Sequence, residues 1–309
     1  MSDELTFIAA LRHIATHPAA RGLADDCAVL EVGGETLILT HDMMAEGVHF
    51  LAGQDPADIA WKLVATNISD LAAKGAEPLG VLLGFTLGQA GADARFLVGL
   101  EAALAHYRAP LLGGDTIATR LAPTHGLTAI GRATHRPVPS RGGAKVGDGV
   151  WLTGPLGAAM VGLEALKAGA DAALTEAYRR PRALLDEGQA LAPLVTAMMD
   201  VSDGLLLDAT RMAVTSGVCL ALDSAAVPIA VPEARRAEAL RWGDDYQLLF
   251  TLPPDTPPPV AAHRIGTVMP AGAAPLLLDG VAPSSDDGLG YRHERGSQDS
   301  PTPARQTPD

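Results

Sequence analysis

The order of its apolar segments is the feature that most constrains how this chain of 309 residues can fold. Short aliphatic runs alternate with longer runs in which apolar residues recur every three or four positions. In the first half this pattern predicts strands at residues 35–41, 80–87, 109–113 and 124–133, and helices at 3–17, 56–75 and 93–107. Such alternation predicts an α/β or α+β layer architecture.

A second alternating series follows a linker. The segment from Arg136 to Gly149 is rich in Pro, Gly and charge, which marks a boundary. We therefore expect domains at residues 1–137 and 138–292. The second domain is predicted to contain strands at 150–153, 218–222, 246–252 and 264–268, and helices at 157–168, 182–197 and 205–216. Residues 293–309 are polar and aperiodic, so we expect a disordered tail.

Charge and composition exclude several classes of protein. The 36 acidic and 23 basic residues give a net charge of −13, which disfavours binding to nucleic acid because such binding relies on Lys and Arg. A small polyphosphate could still bind through bridging metal ions. No apolar run reaches the roughly 18 residues of a membrane span, and the N-terminal segment lacks a signal-peptide pattern. Two distant cysteines, Cys27 and Cys219, predict buried thiols in a cytoplasmic protein.

Aspartates recur where apolar segments end. A carboxylate in that position can hold Mg²⁺, which prefers oxygen ligands. For each residue alone, capping of a helix or turn is an equally ordinary explanation. As a set they favour a shared metal site. These residues are Asp25, Asp26, Asp42, Asp115, Asp200, Asp203, Asp244 and Asp245.

Asp70 stands inside a predicted helix, where Asp is unfavourable. Asn67 precedes it by three positions and shares its face. A solvated face with Lys74 as ion-pair partner would explain both, but the neighbouring residues are apolar, so we expect a site there.

Other motifs are less specific for a function. Gly113 to Thr116 and Arg141 to Lys145 suit phosphate oxygens, although an ordinary turn and an ordinary linker would look alike. His49 alone is more often a packing residue than a functional one. The sequence contains no zinc-ligand spacing, P-loop or dinucleotide-binding fingerprint.

Seven motifs, taken in order, resemble the thiamine-monophosphate kinase family of the aminoimidazole-ribonucleotide-synthetase-like superfamily. The resemblance extends from about residue 5 to Tyr291. The motifs are ADDCAVL at 24–30, HDMMAEGVHF at 41–50, NISDLAAKGA at 67–76, GGDT at 113–116, RGGAKVGD at 141–148, DVSDGL at 200–205 and GDDY at 243–246.

The resemblance implies a two-domain α/β (α+β) fold and a homodimer whose N-terminal domains bind ATP and Mg²⁺ and pair through a shared β-barrel. It implies transfer of the γ-phosphoryl group of ATP to thiamine monophosphate, giving thiamine diphosphate without a phosphoenzyme. The implied metal ligands are Asp26, Thr40, Asp42, Asp70, Asp115, Asp200 and Asp203. The implied ATP contacts are Gly114, Asp115, Arg141 and Ser202, and the implied catalytic residues are Asp200, Asp203 and Arg141. The implied acceptor contacts are His49, Asp244 and the nearby Tyr291.

Some positions depart from the family pattern. His41 stands where Thr or Ser is common, while Arg241, Trp242 and Gln247 are unusual on the expected acceptor side. Trp242 could stack on a heteroaromatic ring or fill space beside a shortened loop. Two alternatives follow: another ATP-dependent synthetase of the superfamily, or an inactive nucleotide- or metal-binding scaffold.

Overall fold

The structure, a computed structural model, describes residues 4–284 and 288–293. Its first half contains a five-stranded sheet and three α-helices, with a short 3₁₀-helix at Pro18–Leu23. The helices are α1 (Glu4–Arg12), α2 (Pro56–Ala73) and α3 (Ala90–Tyr107). The strands are β1 (Ala28–Val32), β2 (Glu35–Ala45), β3 (Ala76–Leu87), β4 (Leu111–Ala118) and β5 (Thr124–Ala133).

The sheet of the first half has the strand order β1-β2-β5-β3-β4. Neighbouring strands are antiparallel except for the parallel pair β3 and β4. The described strands β1 and β4 form its two edges, so the sheet is open within one chain. The fold is therefore a mixed α/β structure, and the predicted dimeric barrel is not seen in the single chain.

Helix α2 is the central element of the molecule. It begins at Pro56, whose fixed φ suits the first helical position, and the Asp55 side chain caps it by accepting a hydrogen bond from the Ala57 amide at 3.0 Å. Nearly all of its residues are buried against the first sheet and against elements of the second half. Any charged side chain on this helix therefore requires a partner inside the protein.

In the described residues, the second half contains a six-stranded sheet of order β11-β8-β10-β6-β9-β7 and five α-helices, with short 3₁₀-helices at Ser224–Ala226 and Glu233–Arg235. Its strands are β6 (Gly149–Leu152), β7 (Ala197–Asp200), β8 (Cys219–Leu222), β9 (Leu248–Leu252), β10 (His263–Met269) and β11 (Leu276–Leu278). Its helices are α4 (Ala158–Lys167), α5 (Ala172–Arg179), α6 (Leu185–Leu191), α7 (Leu205–Ser216) and α8 (Arg236–Ala239).

Most predicted elements are confirmed, but several differ in extent, including β3 and β4, which are longer than predicted. The predicted helix 182–197 is wrong. Helix α6 ends at Leu191, because Pro193 cannot continue it, and the later residues Ala197–Asp200 form β7, which pairs with β9. Strand β2 does not end at Asp42 but continues to Ala45, because it pairs with β5 along that length. Helix α1 ends at Arg12, before the predicted residue 17.

The structure also bears on the predictions for the cysteines, for membrane spans and for the C-terminal tail. Cys27 and Cys219 are both free and buried, as predicted. Within residues 4–284 and 288–293, no helix is long and apolar enough to cross a membrane. The predicted disordered tail lies outside the described residues except for His293. The domain division between residues 137 and 138 and the cytoplasmic location stay predictions.

Candidate metal and phosphate site

Three carboxylates meet where the two halves of the chain join. Asp26 lies just before β1, Asp70 on α2 and Asp200 at the end of β7. One oxygen from each lies within 4.8 Å of the others. Like charges at that separation repel each other strongly when they are removed from water. A cation bound among them would relieve this repulsion, so the cluster is a candidate metal site.

Burial and mutual repulsion raise the pKa of several of these carboxyl groups. Burial, with the neighbouring charges of Asp42, Asp200 and Asp26, raises the pKa of Asp70 well above its usual range. The pKa of Asp200 rises to about 7 and that of Asp42 to about 6, again mainly through burial. Asp203 also contributes to the Asp42 shift, which places Asp42 and Asp203 in the electrostatic environment of the cluster. The region is therefore short of positive charge.

Hydroxyl and amide groups hold the carboxylates in place. The Thr40 hydroxyl donates to Asp70, and the Ser69 hydroxyl donates to Asp200 at 2.6 Å. That Asn67 faces the site stays a prediction. This residue is fully buried, and its side-chain oxygen accepts from the Asp42 backbone amide at 3.0 Å. Asn67 therefore fixes β2 to α2 and positions Asp42.

Asp26 is distinguished from the other carboxylates by its cationic partners. Its oxygens contact the Lys74 ammonium at 2.7 Å and the Arg141 guanidinium. These charges hold its pKa below the usual value, although burial opposes them. The alternative that placed Lys74 on a solvated face beside Asp70 is wrong, because Lys74 is fully buried and also contacts Asp25. Asp25 therefore serves as an ion-pair partner of the buried Lys74.

The Arg141 side chain has a buried donor that is not paired within the described residues. Its guanidinium binds Asp26, while its Nε is buried and has no hydrogen-bond partner within the described part of the chain. An unpaired buried donor is costly, so an incoming acceptor oxygen would be stabilised there. This geometry is compatible with the predicted contact to ATP.

Asp203 lies in the short loop between β7 and α7. Arg211 on that helix bridges Asp203 and the fully buried Asp208, whose carboxylate also accepts from the Asp203 amide at 3.0 Å. Asp208 and Arg211 were not predicted. The signal was an Asp inside an apolar helical run, three positions before an Arg.

Gly114 and Asp115 lie elsewhere. Both are on β4, an edge strand whose residues are all exposed. Asp115 pairs with Gly84, Gly84 with Gly126, and Gly126 with Met43. Three strand spacings, roughly 14 Å, therefore separate Asp115 from β2. Within one chain, the structure does not bring these two residues together with the other predicted ligands.

The three predicted acceptor residues do lie close together. Lys62 donates to Asp244 at 2.7 Å and to the His49 carbonyl oxygen at 3.3 Å. The His49 ring lies 5.5 Å from that of His293, which lies 5.1 Å from the ring of Tyr291. Burial, together with the neighbouring His293, lowers the pKa of His49.

Backbone hydrogen bonds join this acceptor side to the carboxylate cluster. The Asp244 amide donates to the Ser202 carbonyl at 2.8 Å, and the Tyr291 amide donates to the Asp203 carbonyl at 2.8 Å. Gly243 permits the close approach, because a Cβ there would lie 2.0 Å from the Ser202 oxygen. The adjacent Asp245 has a capping role: it accepts from the Gly157 amide at 2.8 Å at the start of α4.

Comparison with known proteins decides the family. Residues 24–133 match the N-terminal domain, and residues 145–265 the C-terminal domain, of AIR synthase related proteins. The chain is 36% identical over 252 residues to thiamine-monophosphate kinase of Salmonella typhimurium, covering 75% of this chain and 76% of that protein. It is 37% identical over 253 residues to the Escherichia coli K12 enzyme, with the same coverage. The chain belongs to the thiamine-monophosphate kinase family.

Solved structures agree with this assignment to the thiamine-monophosphate kinase family. The structure of AaThiL complexed with AMPPCP and TMP has a TM-score of 0.85 and 29% identity, covering 94% of this chain and 97% of that one. Thiamine-monophosphate kinase of Stenotrophomonas maltophilia has a TM-score of 0.73 and 31% identity, with 90% and 96% coverage. The hydrogenase maturation protein HypE, at 20% identity, shares the fold alone.

Proposed function

We propose that this protein transfers the γ-phosphoryl group of ATP to thiamine monophosphate, giving thiamine diphosphate. The observation that carries the proposal is the convergence of Asp26, Asp70 and Asp200 within 4.8 Å in a chain of this family. AaThiL, which shares the fold over nearly its whole length, was solved with AMPPCP and TMP. The same pair of ligands, a nucleoside triphosphate analogue and a phosphorylated acceptor, would approach a carboxylate cluster of this kind through bound cations.

The reaction requires alignment more than acid–base chemistry. Phosphoryl transfer passes through a loose transition state, so catalysis rests on positioning and on neutralising charge. The acceptor phosphate, whose second pKa is about 6, is already ionised at neutral pH. The chain therefore needs no strong general base, and we propose direct in-line transfer without a phosphoenzyme.

The residues of the cluster fit Mg²⁺. They offer carboxylate oxygens and the Thr40 hydroxyl, which are hard ligands, and burial together with neighbouring carboxylates raises the pKa of Asp42 and of Asp200, so a bound cation would stabilise their ionised forms. Bound Mg²⁺ would supply the positive charge that lets two phosphate-bearing substrates approach each other. The residues that would hold it are Asp26, Thr40, Asp42, Asp70, Asp200 and Asp203.

The remaining residues orient the two substrates. Arg141, with its unpaired Nε, and Ser202 would contact ATP next to the cluster. His49, Asp244 and Tyr291 would contact the acceptor, and the hydrogen bonds from Asp244 and Tyr291 to the 200–203 loop keep that side next to the carboxylates.

A homodimer completes the proposal. Strand β4 is an unpaired edge that exposes the apolar side chains of Leu111, Leu112 and Ile117. Such edges are usually covered in native proteins. Pairing of β4 with a second copy would bury these side chains, extend the open sheet toward the predicted barrel, and carry Gly114 and Asp115 of one chain toward the ATP site of the other.

A coupled ADP-release assay with Mg²⁺-ATP tests the proposal. Thiamine monophosphate, free thiamine and no acceptor are compared side by side. We expect ADP release only with thiamine monophosphate, with thiamine diphosphate as the product. Turnover with a different acceptor alone would favour another synthetase of the superfamily, and nucleotide binding without turnover would favour an inactive scaffold.

A further inference from the structure

Lys62 is a buried cation that joins the two halves of the molecule. Its side chain, on α2, is only 2% exposed. Its ammonium lies 2.7 Å from an Asp244 oxygen, 182 positions along the chain, and 3.3 Å from the His49 carbonyl oxygen. A buried charge is costly unless it is paired. Lys62 therefore ties one helix to two residues of the acceptor side.

Asp244 is held at both oxygens. Lys62 donates to Oδ2, and the Tyr246 hydroxyl donates to Oδ1 at 2.9 Å. The Asp244 side chain is still 29% exposed, so it can reach a ligand that Lys62 cannot. Both Asp244 and Tyr246 have positive φ, at 64° and 50°, a conformation that non-glycine residues adopt rarely. The conformation of the loop at Asp244 and Tyr246 therefore leaves the Asp244 carboxylate partly exposed on the acceptor side.

His49 receives a second donor from the other half of the chain. The Tyr178 hydroxyl donates to the His49 carbonyl oxygen at 2.9 Å, and the Tyr178 ring lies over the Lys62 ammonium at 3.8 Å from its centroid. A cation over an aromatic face is attracted by the ring's electrons. Helix α5, which carries Tyr178, is thereby fixed to the same cation.

We propose that Lys62 is a positioning residue for the phosphate acceptor. It holds Asp244, together with Tyr246, and it holds the His49 loop, together with Tyr178, so it acts on thiamine monophosphate through these groups. Its contacts are on the acceptor side and include none of the carboxylates of the metal cluster. The inference rests on the proposed kinase function.

The substitution Lys62→Met tests this role, because it keeps most of the side-chain length and removes the charge. We expect the KM for thiamine monophosphate to rise about tenfold or more, as for a lost charge-assisted hydrogen bond. The KM for ATP should stay within about twofold, because the ATP side does not contact Lys62. Arg236→Met is the matched control: Arg236 also pairs with a carboxylate, Glu233, and with backbone carbonyls, and none of these partners is an acceptor-side residue. Its kinetics should be unchanged.

A double-mutant cycle with Asp244→Asn separates positioning from general destabilisation. If Lys62 acts partly through Asp244, adding Lys62→Met to Asp244→Asn should raise the acceptor KM by a smaller factor than Lys62→Met does alone, and the remaining effect would come from the His49 loop. Tyr246→Phe, which frees the other Asp244 oxygen, should raise the same KM and keeps the test available if Lys62→Met does not fold.

Two results would overturn the inference: an equal rise in the KM for ATP and for the acceptor, or additive effects in the cycle. A wild-type protein that turns over no thiamine monophosphate would instead overturn the proposed function.

Discussion

Asp200 shows how burial and neighbouring charge act on one side chain. Burial raises its pKa to about 7, the charges of Asp26, Asp208 and Asp42 add to the rise, and the Ser69 hydrogen bond opposes it. The metal-free folded state therefore binds this proton more tightly than the unfolded chain, where the pKa is near 3.8. Stability from this group is present at low pH and is lost as the pH rises from about 4 to about 7.

The substitution Asp200→Asn should separate function from stability. Turnover is expected to fall at least about 100-fold, because a charge that would hold the metal is removed. Without metal, the variant should unfold at a higher temperature than the wild type at pH 8 and at a similar temperature near pH 4, because Asn carries no buried charge and can still accept from Ser69. Calorimetry with and without Mg²⁺ measures this, and a variant less stable than the wild type at pH 8 would contradict the account.

Single residues could be recognised from the sequence where charge interrupts an apolar pattern. Examples are Asp26, Asp42, Asp70 and Asp200. Their carboxylates and their positions in the sequence favour a metal site, and the structure places them in one electrostatic environment. Their partners could not be predicted. The sequence offers only Asp70, four positions earlier, as an alternative partner for Lys74, whereas Lys74 contacts Asp25 and Asp26, 48 or more positions away. Such pairs depend on tertiary packing.

The helices and strands also show that local sequence patterns do not reveal tertiary packing. Helix α2 and strand β5 were predictable because each has a regular apolar period and a clear start or end, such as Asp55-Pro56. Apolar residues recur through 182–197, so the change from α6 to β7 is set by Pro193 and by pairing with β9. Strand β1 is short and flanked by turns, and its pairing with β2 identifies it as a strand.

At the scale of the whole molecule, the position of β4 is the main consequence of the topology. The strand order places Asp115 at the opposite edge of the sheet from β1 and β2. Sequence similarity indicated Asp115 as a metal ligand but could not reveal this separation. A site that contains both Asp115 and Asp200 would have to be shared between two copies of the chain.

Complementation between two inactive variants tests this arrangement. Asp115→Asn and Asp200→Asn chains, each with a different affinity tag, are co-expressed and the mixed dimer is isolated. If each site takes Asp115 from one chain and Asp200 from the other, one site of the mixed dimer is intact, so about half of the wild-type activity should return. Activity no higher than that of either variant alone would show that both residues act within one chain.

The most direct measurement of the central claim is a single-turnover experiment with ATP labelled at the γ-phosphorus, Mg²⁺ and thiamine monophosphate. The account predicts that the label appears in the terminal phosphate of thiamine diphosphate, at a rate that falls sharply in Asp200→Asn, with none bound covalently to the protein. Label released as inorganic phosphate, or retained on the chain, would contradict direct transfer at the aspartate cluster.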